Sequence, residues 1–179
     1  MPAGLPTWGA ALRGRRVATS RRGMRHDRLM ATAHEAPLPA DETTDALHAF
    51  RSELAAALDD VASVTWDGDL TVEGCNVEPA AESAVSVGWV HSAEDIVATL
   101  GSAPGWDLPR SPDGVKTLRA IVDAAVHGEV EVGTGRGLTV YRVRTSDGVV
   151  LEDTHEGLAG FMSMPWKPRL RWATATAYR

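Results

Sequence analysis

The sequence predicts an α+β domain: an antiparallel sheet of about six to seven strands, with two long helices and one short helix packed on it. Two stretches carry apolar residues at spacings of three and four, as amphipathic helices do. The remaining apolar segments are short, alternate, and come in runs joined by tight turns, which is the pattern of antiparallel strands. The order, α-β-β-β-α-α-β-β-β-β, lacks the regular βαβ alternation of a parallel sheet.

The first helix is expected from Asp41 to about Ala62, with Asp41 as N-cap and Glu42 in its first turn. Leu47, Phe50, Leu54, Leu58 and Val61 form its buried stripe, widened by Ala46 and Ala57. Val64–Trp66, Leu70–Val77 and Ala84–Val90 read as strands, with Asp67-Gly68 as a hairpin turn. Ser92 and Asp95 have the spacing of a capping box, which predicts a short helix to about Leu100. Gly101 to Pro109 is turn-rich. Ser111 caps the second long helix, with Pro112 in its favoured first position and Gly128 as its stop. Its core face is Val115, Leu118, Val122, Ala125 and Val126. A meander completes the chain: Glu129–Val132, Leu138–Thr145, Val149–Thr154, and a last strand from Arg169 to Tyr178.

Charge divides the chain. Residues 1–30 carry seven arginines against one acid, Asp27, a local balance of +6; the chain's −6 then leaves −12 on residues 31–179. Residues 1–40 have no apolar period and hold Pro2, Pro6, Pro37 and Pro39. They read as a basic, disordered arm, with Met24 or Met30 as alternative first residues, ahead of one acidic domain from 41 to 179. An arm so rich in arginine suits nucleic acid or an acidic surface. The domain's charge argues against nucleic acid and anionic membranes and favours a basic partner.

One cysteine, Cys75, excludes an internal disulfide and every multi-cysteine zinc pattern. A lone thiol fits a reducing compartment, and no apolar run reaches the ~18–20 residues of a membrane span, so the expected location is cytoplasmic. Arginine outnumbers lysine sixteen to two, a composition that resembles the coding bias of a GC-rich bacterial genome.

Catalytic signatures are missing: the sequence holds no G-x-S-x-G elbow, Walker A loop, H-E-x-x-H or C-x-x-C. Gly133, Gly135 and Gly137 lack the helix that a phosphate loop needs behind it. Glu152, Asp153, His155 and Glu156 form the densest acid–histidine group, yet alternation sends Glu152 and Asp153 to opposite faces. Neither a metal nor a cofactor is expected.

The expectation is therefore a non-enzymatic module that binds a basic protein through an acidic, aromatic-studded surface. Asp59, Asp60, Glu152 and Asp153 are its candidate charges, and Trp66, Trp106 and Trp166 its candidate anchors. Small acidic immunity and chaperone-like proteins are similar in class. Lys167, Arg169 and Arg171, interleaved with Trp166 and Trp172, are candidate contacts for an anion. The alternative is a small-molecule-binding domain or an enzyme with a pocket on the sheet face.

Overall fold

The computed structural model describes residues 36–145, 148–156 and 169–178. These lie within one of two units of the chain, Glu35–Arg179. The basic arm up to residue 35, Trp166 and Lys167 lie outside the described residues.

The domain is α+β, and its strands are split between two antiparallel sheets. Helix α1 (Glu42–Ala57) leads into a five-stranded meander of β1 (Ala62–Gly68), β2 (Glu73–Pro79), β3 (Val87–His91), β4 (Asp95–Leu100) and β5 (Trp106–Pro109). Helix α2 (Pro112–His127) comes next. The second sheet holds β6 (Val130–Gly135), β7 (Leu138–Arg144), β8 (Val150–Glu156) and β9 (Arg171–Thr174), in spatial order β8-β7-β6-β9. The expected single sheet of six to seven strands is thus corrected to nine strands in two sheets among the described residues.

Both helices begin as their caps dictate. Asp41 accepts from the Thr44 backbone N–H at 2.9 Å, and Ser111 from that of Gly114 at 3.3 Å. Gly128 closes α2 in the left-handed region at φ 73°, a conformation that costs glycine no Cβ clash. Helix α1 stops at Ala57, short of the expected Ala62, because the chain turns at Leu58 and enters β1.

The expected third helix is absent from its place. Residues 92–100 form a hairpin turn and strand β4 instead. Ser92 Oγ accepts the Glu94 and Asp95 backbone N–H groups and donates to Asp95 Oδ1 at 2.6 Å. That side chain satisfies the same donors in a turn as in a helix cap. The residues after Asp95 decide between the two: Ile96, Ala98 and Leu100 alternate into the core, and β4 pairs with β3 on one side and β5 on the other.

The core lies between the helices and the inner face of the first sheet. Leu47, Phe50 and Leu54 of α1 meet Leu118, Ile121 and Val122 of α2 over Val77, Trp89, Ile96 and Leu100. Phe50 stacks on Trp89 with centroids 5.4 Å apart. The second sheet joins through α2 and a seam of polar contacts: Gly105 N–H to Asp153 Oδ2 at 2.6 Å, Trp106 Nε1–H to Glu152 O at 3.3 Å, and the buried Tyr178 hydroxyl to Val85 O at 2.7 Å. No helix among the described residues is long and apolar enough to cross a membrane.

Candidate functional site

Inward alternation on β3 buries Val87, Trp89 and then His91. A fully buried imidazole needs partners, and the fold brings them from three elements. Register places Glu73 of β2 opposite His91. Helix α1 lays His48 over the same end of the sheet, and Arg110, just past the end of β5, reaches in behind.

The result is a continuous polar chain. Glu73 Oε2 accepts from His48 Nε2 at 2.7 Å and lies 3.3 Å from His91 Nε2. On the far side, Arg110 Nη1 meets His91 Nδ1 at 3.3 Å and Ser92 O at 3.2 Å, while its Nη2 donates to Asp41 Oδ1 at 2.8 Å and Thr44 Oγ1 at 2.7 Å. Trp66 covers the cluster, its ring 5.6 Å from that of His48 and 6.1 Å from that of His91, with the Arg51 guanidinium 4.5 Å above it.

The ligand-type atoms of His48, Glu73 and His91 lie within 4.8 Å of one another, a spacing that suits a metal ion. The hydrogen-bond chemistry does not suit one. A guanidinium only donates, so Nδ1 of His91 must present its lone pair to Arg110 and the ring proton must sit on Nε2. A metal-bound imidazole needs the reverse, a lone pair on the ligating nitrogen and an acceptor facing the other. Burial, opposed by the Glu73 carboxylate and assisted by Arg110, holds the His91 pKa below its usual value, so the ring is neutral. The Thr44 backbone N–H, and after it Arg110, keep the Asp41 carboxyl below the usual carboxylate range. The cluster is a polar clamp between α1 and the sheet, hydrogen-bonded through His48, Glu73 and Arg110, with the His91 Nε2–H beside Glu73 Oε2 but outside hydrogen-bond geometry.

The other reactive group of the first sheet is equally committed. Burial pushes the Cys75 thiol up to about 12, against a smaller opposing pull from Arg51, so it stays protonated.

The sequence-predicted acids and tryptophans fall into two groups. Glu152, Asp153, Trp66 and Trp106 are engaged within the domain. Glu152 pairs with Arg142 at 3.0 Å, and Arg142 also reaches Glu131 and lies 4.3 Å over the Trp172 ring. Asp153 and Trp106 belong to the seam between the sheets, and Trp66 to the clamp. Asp59 and Asp60 differ: both are exposed, directly after the C-cap of α1.

Arg169 and Arg171 come together with a residue that sequence reasoning left out. They line one open groove of about 310 Å³ with Thr134, Gly135 and Arg136 of the β6–β7 hairpin. Comparison with known proteins finds no matching family model, no matching curated protein and no matching solved structure.

Proposed function

We propose that this domain is a binding module for a basic protein, and that Asp59 and Asp60 belong to its contact surface. One observation carries the reading. The two carboxylates stand exposed, with no ion pair among the described residues, at the negative end of the α1 dipole, and no basic residue occupies the last turn of that helix. Acids placed there cost about 0.3–1 kcal/mol each. A cationic partner removes that cost on binding and gains faster, salt-sensitive encounter from the domain's negative field.

Catalysis has less support. Among the described residues, His48 is hydrogen-bonded to Glu73, His91 is fully buried against both Glu73 and Arg110, and Cys75 is buried and protonated. Reversing Glu152 and Asp153 would break the Arg142 pair and the Gly105 contact, so Asp59 and Asp60 offer the clean test.

The experiment compares wild type with Asp59→Asn/Asp60→Asn in capture from cell extract at low and high salt, alongside thermal melts. The expected result has three parts: basic proteins enriched by wild type, loss of capture in high salt, and weaker capture by a variant that melts at the same temperature or higher. Capture that survives the double substitution and ignores salt would leave these acids a role in solubility only.

A further inference from the structure

The arginines of this acidic domain are unequally employed. Arg51 and Arg119 cover the rings of Trp66 and Phe50, Arg119 also pairs with Glu53, Arg110 with Asp41, and Arg142 with Glu131 and Glu152. Arg136, Arg144, Arg169 and Arg171 make no ion pair among the described residues, although acids outnumber bases heavily in the domain. All of these but Arg144 line the same groove.

The fold builds that convergence. Register sets Arg171 of β9 directly opposite Thr134 of β6, and paired residues of an antiparallel ladder share a face. Arg136 sits in the tight β6–β7 turn, whose second residue, Gly137, takes φ 69°. Arg169 lies two residues before Arg171, along the approach to the same strand. The rest of the lining is Thr134 and Gly135, so every side chain there with a polar group can donate hydrogen bonds.

We propose that this groove binds a compact phosphate-type oxyanion, free or as the phosphate group of a small ester. Guanidinium forks match phosphate oxygens in pairs, and three of them supply enough charge for a dianion. The groove is shallow and open, so it suits a small anion held by charge rather than a ligand enclosed by walls. Charge sets the upper size of the ligand. A nucleic acid would extend beyond the groove onto a domain whose balance is −12 over residues 31–179, and like charges within a Debye length of about 8 Å repel it. This inference is independent of the basic-partner reading, which concerns Asp59 and Asp60.

The test titrates the full chain with inorganic phosphate, pyrophosphate, glycerol phosphate, acetate and a single-stranded oligonucleotide, by calorimetry and by amide chemical shifts. The variants are Arg136→Gln, Arg171→Gln and their double, with Arg144→Gln as an exposed control outside the groove; thermal melts confirm that each folds. Saturable one-to-one binding of the phosphates is expected, with pyrophosphate tightest. Each groove variant should weaken it roughly ten-fold, as loss of a charge-assisted hydrogen bond does, and Arg144→Gln should not. Equal weakening by Arg144→Gln, absence of saturation, acetate binding as tight as phosphate, or an oligonucleotide that binds more tightly than pyrophosphate and loses that binding in the groove variants would each overturn the proposal. Glycerol phosphate binding like inorganic phosphate supports an ester as the ligand, and weaker binding supports the free ion.

Discussion

Arg110 Nη1 stands 3.3 Å from Nδ1 of His91, a cation set against a histidine that is fully buried. The pair stays together because the imidazole is neutral and offers its lone pair to the guanidinium. Protonating His91 would place two cations face to face in the core, with Glu73 beside the imidazole and Asp41 on the far side of the guanidinium to offset them.

That arrangement makes stability depend on pH. The His91 pKa is depressed in the folded state and ordinary, near 6.5, in the unfolded chain. Below that value the unfolded state binds more protons, so stability is complete above about pH 6.5 and falls as pH drops beneath it. The groups facing His91 are Glu73, His48 and Arg110. Urea melts from about pH 5 to 7.5 should show the decline, at up to about 1.4 kcal/mol per pH unit for one proton. His91→Gln should be less stable at neutral pH and should lose that slope; a variant with the wild-type slope would assign the titration elsewhere.

The helix faces give a second expectation. Leu118 is completely buried between α2 and the first sheet, and Leu54 nearly so on α1. Truncation to alanine should cost about 3–5 kcal/mol for Leu118 and about 2–4 kcal/mol for Leu54. Denaturant melts with changes below roughly 0.5 kcal/mol, the scale of surface sites, would place those side chains outside the core.

Both helices are legible in the sequence because cap and stripe agree: Asp41 and Ser111 start them, and Leu47, Phe50, Leu54, Val115, Leu118 and Val122 all turn out buried. Ser92 and Asp95 mislead because their hydrogen bonds are the same in a cap and in a hairpin turn. The alternation of Ile96, Ala98 and Leu100 is the better guide. The clamp is hidden for a different reason. His48 and Glu73 are 25 residues apart, and only the β2–β3 register and the path of α1 bring them to His91. One signal is present: His91 continues the inward alternation of Val87 and Trp89, so a buried histidine in need of partners could be inferred. The split into two sheets leaves no such trace, since a meander reads alike whether its strands extend one sheet or begin another.

Cys75 should be chemically silent in the native protein. Its side chain is buried opposite Trp66 on β1 and Trp89 on β3, and its thiol is pushed up to about 12. A disulfide reagent at about pH 8 meets almost no thiolate and little access. Labelling should therefore wait for unfolding and become fast in denaturant. Rapid stoichiometric labelling of the native protein would show that the first sheet opens at this position.

Gly114 sets helix propensity against packing. Alanine is the better helix former by about 0.8–1.0 kcal/mol, and Gly114 occupies the first turn of α2, where such a gain would be expected. Packing opposes it: a Cβ at this position would overlap the carbonyl oxygen of Pro109 and lie 3.0 Å from its carbon. Both atoms are backbone, at the end of β5, so a rotamer change cannot relieve the clash. The start of α2 would have to move away from β5, and the Ser111 cap on the Gly114 N–H would move with it. We expect Gly114→Ala to destabilise by about 1–3 kcal/mol, the usual cost of overpacking, despite its better propensity. Denaturant melts decide the sign. A stabilised variant would mean that α2 starts farther from Pro109 than the structure places it.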